Sequence, residues 1–373
     1  MTIILLAVTA FWLAYSNGAN DNFKGVATLY GSRTTSYQHA LIWSTITTFL
    51  GSLLSILLAE QLVKIFSGAG LVPDPMLGSA PLLVTIGLSA ATTIFLATIL
   101  GMPTSTTHAL VGSLLGIAWV SSTLKMPWHI ILNFFVSPLL LSPLVSIILT
   151  GSLYSMMAGL GKLIGMKNKF CVCLEPADLV PSMPDQKGAA MASVCMPRVT
   201  VDRIENCIYP NHGSLRGFSK QSLLDMVHYL SAGAVCFGRA VNDTPKIAAL
   251  LLTFGSINQY AGLGIVALAM ALGGVLQARR VAETLSRRIT DLDPHQGMCA
   301  NLVTAGLVLF ASQWGMPVST THVACGSIFG IGLVNKKVDW NTAAHIGITW
   351  MTTLPIAALL STLIFKLYLI VSG

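Results

Sequence analysis

Gly101 to Val120 reads GMPTSTTHALVGSLLGIAWV, and Gly315 to Val334 reads GMPVSTTHVACGSIFGIGLV. Twelve of the twenty positions are identical. A repeat of this kind sets the organisation of a chain before anything else does. A second matched pair lies upstream: Asn20-Asp21-Asn22-Phe23-Lys24 and Asn242-Asp243-Thr244-Pro245-Lys246. Downstream, Trp128 answers Trp340 and Pro143 answers Pro355. The order is the same in both copies, so the chain reads as an N-terminal half (1–165), a linker (166–219) and a C-terminal half (220–373).

Both halves read as membrane-embedded. Of 373 residues, 54% are hydrophobic and only 9% charged, far less charge than a soluble domain carries. No Asp, Glu, Lys or Arg occurs in Met1–Asn20, Ala40–Ala59, Pro75–Leu124, Met126–Gly161, Ile247–Ala278, Pro294–Asn335 or Trp340–Phe365. At about 20 residues per crossing these runs give roughly ten to twelve spans. The abundant Gly and Pro suit helices in lipid, and the alternating segments of a barrel are missing. The expected fold is an all-α integral membrane protein, with Met1–Asn20 a retained first span rather than a signal peptide.

The formal charge of +7 reads as basic cytoplasmic loops rather than nucleic-acid binding. If the halves are inverted relative to each other, Arg33, the basic linker and the arginines at 279, 280, 287 and 288 fall on one face. The positive-inside rule makes that face cytoplasmic and puts both termini outside, in a multi-pass cell-membrane protein (the inner membrane of a Gram-negative cell). Cys171, Cys173, Cys195, Cys207 and His212 share the linker without the usual zinc spacing, so free thiols are expected there and no metal site. A strand is expected at Pro197–Val201.

Two motifs carry chemistry. Charges inside spans are costly and mark function. Asn20, Asp21 and Lys24, and their copies Asn242, Asp243 and Lys246, sit among helix-breaking residues. This predicts two broken helices whose carboxylates and amides could bind a hard cation or the substrate. A plain Asp–Lys salt bridge on one turn is the blander account. In the second motif, Pro103 and Pro317 are expected at the first helical position, with Ser105, Thr106, Thr107 and Ser319, Thr320, Thr321 following. Two such helix starts offer free amides and neutral hydroxyls to a tetrahedral anion. Ordinary packing or backbone bonding by the hydroxyls is the alternative. His108 and His322 are candidates for ligand contact, proton movement or gating. Lys24, Lys246 and Arg239 could balance charge in the site, or the lysines could snorkel to an interface.

On the Gly18–Asp21 stretch, its copy at Ala240–Asp243 and the two Pro-x-Ser-Thr-Thr-His blocks, the chain resembles the PiT family of inorganic phosphate transporters. The resemblance spans both halves. It implies an inverted-repeat secondary transporter coupled to sodium or protons, without a cofactor, binding phosphate near the aspartates and the Ser/Thr hairpins; a homodimer is one assembly open to it. Ser105, Thr106, Thr107, Ser319, Thr320 and Thr321 carry over as phosphate-site residues, and Asn20, Asp21, Asn242 and Asp243 as ion or substrate residues. The chain departs from the family at Lys24 and Lys246, where relatives usually carry Asn, and at Arg239. These departures leave the coupling ion open between sodium and protons. A sulfate or other oxyanion permease is the nearest alternative, ahead of an anion channel or a membrane hydrolase using Ser, His and Asp.

Overall fold

The computed structural model describes residues 2–67, 72–121, 132, 136–163, 170–175, 198–203, 218–255 and 258–372. The first half contains α1 (Thr2–Asp21), α2 (Ala27–Gly31), α3 (Tyr37–Leu58), α4 (Glu60–Ile65), α5 (Ala80–Ile99), α6 (Thr106–Ser121) and α7 (Ser137–Leu163). The second contains α8 (Lys220–Leu252), α9 (Gln259–Gln277), α10 (Arg279–Glu283), α11 (Pro294–Gln313), α12 (Thr320–Asn335) and α13 (Trp340–Ser372). Met1–Tyr154 and His228–Gly373 form one compact unit, so the two halves fold together. Ser155–Val227 forms a separate unit with a three-stranded antiparallel sheet, in the order β2 (Arg198–Arg203), β1 (Phe170–Glu175), β3 (Phe218–Ser219). β2 covers most of the strand expected from sequence. Cys195, Cys207 and His212 lie outside the described residues.

Among the described residues, five helices are long and apolar enough to cross a membrane; they fall in α1, α5, α7, α9 and α13. The ten to twelve spans expected from run lengths exceed that number. One cause is visible in α6, whose 16 residues reach only about 24 Å, short of the roughly 30 Å hydrocarbon core. α7 and α13 show solvent a broad apolar surface, with Leu140, Ile148, Met351 and Leu363 all more than 60% exposed. A surface of that size belongs against lipid.

The two repeat blocks fold alike, for local reasons. α5 ends as Gly101 N–H donates to Thr98 O and Met102 N–H to Ala97 O, both at 2.9 Å. α11 ends the same way, Gly315 donating to Ser312 O at 3.2 Å and Met316 to Ala311 O at 2.8 Å. Gly101 (φ 71°) and Gly315 (φ 68°) take the left-handed position that closes such an end, a conformation glycine adopts without a Cβ penalty. Ser105 and Ser319 then cap the next helices, accepting from the N–H of His108 (3.1 Å) and His322 (3.2 Å). The prolines are therefore two residues before the cap, not at the first helical position. The stretch they occupy is a link without regular structure between two helices.

Only one of the two expected helix breaks occurs. α1 stops at Asp21 and a turn covers Asn22–Val26. α8 continues through Asn242–Lys246 with Pro245 inside it. Proline there removes one N–H, and an otherwise favourable helix can carry that loss as a kink rather than a break.

Helices exchange partners between the halves. Gly112 and Gly116 of α6 pack on α13, while their counterparts Gly326 and Gly330 of α12 pack on α7. A β-carbon would lie 2.8 Å from Pro143 O at Gly326 and 2.6 Å from Ile147 O at Gly330. Likewise Gly273 of α9 meets Tyr15 of α1, and Gly51 of α3 meets Phe237 of α8, where a β-carbon would come within 2.5 Å of the carbonyl oxygen. Small residues four apart let helix backbones approach this closely. Such reciprocal contacts are what a two-fold relation between halves produces.

The loops fix where the two turns sit. Arg287 packs over the Tyr30 ring at 4.4 Å and Arg279 over Tyr37 at 6.0 Å, while Arg33 and Arg287 line one 550 Å³ pocket. The turn at Gly101 abuts this arginine loop: the Thr284 hydroxyl donates to Gly101 O at 2.8 Å, and Arg280 donates to Ile99 O at 2.5 Å. The turn at Gly315 instead meets α4, where a β-carbon would lie 2.7 Å from Gln61 Oε1. α3 starts beside the arginines and, with 22 residues, ends about 33 Å away at α4. The two turns thus lie near opposite ends of one helix.

Candidate functional site

Four chain segments converge: the end of α1, the middle of α8, and the starts of α6 and α12. They bring together Asp21, Lys24, Arg239, Asp243 and Lys246, each at most 2% exposed. Burial this complete rules out snorkelling for the lysines. Each lysine pairs with the aspartate three residues before it, Lys24 with Asp21 and Lys246 with Asp243 at 3.5 Å. The salt bridge foreseen as the blander account is therefore present, but within a larger cluster.

The lysines join the two halves. Lys246 Nζ donates to Thr107 Oγ1 at 2.8 Å and to Val318 O at 3.1 Å. Lys24 Nζ donates to Thr321 Oγ1 and, at 3.4 Å, to Thr104 O. Val318 and Thr104 are equivalent positions of the repeat, as are Thr107 and Thr321. The threonines complete the pattern: Thr107 donates to Val318 O at 3.1 Å, and Thr321 to Thr104 O. Each ammonium thus meets one carboxylate, one carbonyl and one hydroxyl.

The aspartates meet at Asn17. Its Nδ2 lies 3.2 Å from Asp21 Oδ2, 3.2 Å from Asp243 Oδ2 and 2.8 Å from Thr106 Oγ1. Two amide hydrogens cannot fully satisfy three acceptors. Arg239 orients this amide, donating from Nη1 to Asn17 Oδ1 at 2.9 Å and from Nη2 to Thr48 Oγ1 at 3.1 Å. Its Nε is buried without a hydrogen-bond partner. Three cations against two carboxylates leave the cluster one positive charge in excess.

Asn20 and Asn242 brace the hairpin turns. Asn20 donates to Thr98 Oγ1 (2.9 Å) and Met102 O (3.0 Å) and accepts from Thr104 N–H (2.9 Å). Asn242 donates to Asp243 Oδ1 (3.0 Å) and Val318 O (3.3 Å) and accepts from the Ser312 hydroxyl at 3.3 Å. Of the six block hydroxyls, Ser105 and Ser319 are spent on capping, Thr107 and Thr321 bind the lysines, and Thr106 faces the aspartates, donating to Asp21 Oδ2 at 3.4 Å. Thr320 is buried. His108 and His322 stand together one residue beyond, ring centroids 4.6 Å apart, with His322 also on Trp350 at 4.0 Å. His322 Nδ1 lies 3.3 Å from Leu139 O, and His108 lines a 210 Å³ apolar pocket.

The starts of α6 and α12 thus stand around a buried polar cluster with three cationic and two anionic side chains. The model of the phosphate transporter family matches residues 17–361. The chain belongs to that family. It is a multi-pass membrane transporter and not an enzyme. It is 26% identical over 97% of its length to a Rhizobium meliloti protein described as "Probable low-affinity inorganic phosphate transporter", covering 95% of that protein. A Bacillus subtilis protein of the same description is 25% identical, with 97% of this chain and 96% of that one covered. Among solved structures, one titled "The sodium-dependent phosphate transporter" shares the fold, with a TM-score of 0.71, 20% identity and 99% of both chains covered.

Sequence reasoning named the charged residues and the hydroxyl blocks. It took Asn17 only as a neighbour of Asp21 and passed over Thr98 and Ser312. The signal for the last two was present: each is the hydroxyl residue three positions before the Gly-Met-Pro of its block. Asn17 had no such mark, because its counterpart in the second half is an arginine.

Proposed function

We propose that this transporter moves inorganic phosphate across the membrane by alternating access, driven by a cation gradient of sodium or protons. The observation carrying this is the convergence of Asp21, Asp243 and three cations with the starts of α6 and α12 in one buried cluster. Helix starts and hydroxyls donate to an oxyanion, and the excess positive charge draws it in. The descriptions of the curated relatives support phosphate as the substrate.

Two halves in inverted orientation fit the reciprocal packing and the two turns lying near opposite ends of α3. In that arrangement the halves present the same site alternately to either side. The arginine loop and the linker then face the cytoplasm and both termini face outside, following the positive-inside rule. Opening toward either face has to separate a hairpin from the ammonium of the opposite half.

The test is uptake of radiolabelled phosphate into proteoliposomes, with sulfate as competitor and with imposed gradients. Gradient-driven accumulation that excess sulfate leaves largely intact is the expected result. Sulfate accumulation in preference to phosphate, or equilibration without accumulation, overturns the reading.

A further inference from the structure

We infer that the ammonium groups of Lys24 and Lys246 are tethered cations filling two cation sites of this transporter, so that it moves phosphate without sodium; this rests on the phosphate reading above.

The donor sets carry the argument. Around Lys24 Nζ stand an Asp21 carboxylate oxygen, the Thr104 carbonyl and the Thr321 hydroxyl. Around Lys246 Nζ stand the equivalent Asp243 carboxylate, Val318 carbonyl and Thr107 hydroxyl. Carboxylate, carbonyl and hydroxyl oxygens together make the ligand set a hard metal cation takes. Here a protein amine, with three N–H donors and no acceptor, uses all three in each cage.

Both cages are closed to water: Lys24 is 2% and Lys246 0% exposed. They recur at equivalent positions of the two halves, which a chance salt bridge would not do. A sodium ion brought to the same oxygens would meet a fixed positive charge within bonding distance, at low dielectric. It would also find the charge balance already made. Lys24, Lys246 and Arg239 outnumber Asp21 and Asp243 before any ion enters.

A structure of the same fold is described as a sodium-dependent phosphate transporter. A covalent difference separates this chain from such a protein: the cation is part of the protein and is not taken from solution. Phosphate binding then costs no sodium, and the transport stoichiometry contains none. The substitution that tests this is Lys→Asn, which keeps a polar side chain, shortens it and vacates the cage.

Two measurements on the purified full-length chain decide it. The first is radiolabelled phosphate uptake into proteoliposomes in sodium and in choline media, for the wild type and for K24N/K246N. Wild-type uptake equal in both media is expected, with uptake by the double variant appearing only in sodium. A wild-type loss of more than about tenfold in choline overturns the inference.

The second is binding of radioactive sodium in detergent, which needs no transport. The wild type should bind none saturably, and the double variant should bind it saturably. Saturable wild-type binding that is abolished by D21N and D243N overturns the inference. If K24N/K246N does not fold, wild-type sodium binding alone still decides. Absence of phosphate uptake in every medium, with wild-type sodium binding absent as expected, sinks the phosphate reading and leaves the cages assigned to the lysines.

Discussion

Arg239 Nη1 donates to Asn17 Oδ1 at 2.9 Å, and the two residues occupy equivalent positions in the two halves, three before Asn20 and three before Asn242. A residue that touches its own counterpart lies where the two halves meet. The His108–His322 pair is a second such contact, at 4.6 Å between ring centroids. Each half also supplies one Asp–Lys pair. The halves therefore contribute alike where the site holds the aspartates and lysines. They differ at the Asn17–Arg239 contact, where one copy supplies an amide and the other a guanidinium.

Asp21→Asn and Asp243→Asn should each abolish uptake while leaving the protein in the membrane. Each change keeps the shape but strands a buried ammonium and removes an acceptor from Asn17. Breaking a buried pair from one side costs about 3–5 kcal/mol. The check is phosphate uptake normalised to the amount of inserted protein; normal uptake by either variant removes that aspartate from the mechanism.

The glycine contacts predict paired packing defects. Gly330→Leu drives a side chain into Ile147 O, and its counterpart Gly116→Leu into Ala358 and Ser361. Overpacking of this kind costs about 1–3 kcal/mol. Thermal unfolding in detergent should shift down for both variants by similar amounts. An unchanged midpoint for either would mean that its helix pair does not rely on close approach.

Much of this was legible in the sequence, because duplication labels what composition alone leaves anonymous. Asp21 and Asp243 each carry a lysine three residues on beside long apolar runs, and each is followed in the same order by a hydroxyl block. What stayed hidden was non-local. Nothing along the chain says that Lys24 reaches Thr321 or that Lys246 reaches Thr107, since those pairs cross between halves. The reading of two broken helices failed at α8 because Asn-Asp-Thr-Pro was weighed by its residue types. In the fold, packing on every side holds that stretch helical, and Ile247 to Leu251 are all buried.

The orientation is testable by labelling. In a cysteine-free background, Pro75→Cys should react with an impermeant thiol reagent added to intact cells. Arg279→Cys, at a position 80% exposed on the arginine loop, should react only after permeabilisation. The reverse pattern would place the arginine loop outside, against the charge bias of membrane loops.

Arg239 should set phosphate affinity through its charge. It supplies the positive charge by which the cluster exceeds its two carboxylates, and its buried Nε makes no hydrogen bond in the protein. A buried donor left unpaired costs about 1–3 kcal/mol, so this one is best satisfied by a ligand oxygen. Arg239→Gln removes the charge yet keeps an amide able to reach Asn17 or Thr48. At an effective dielectric near 20, one unit charge within several ångströms is worth a few kcal/mol. The KM for phosphate should rise by about tenfold or more, with a smaller change in maximal uptake. Arg239→Lys keeps the charge but not the two-pronged hold on Asn17 and Thr48. It should recover most of the affinity if charge is what matters. Should the Gln variant keep wild-type KM, the excess charge plays no role in drawing the anion in. Equal loss in both variants would instead assign Arg239 to positioning Asn17 between the aspartates.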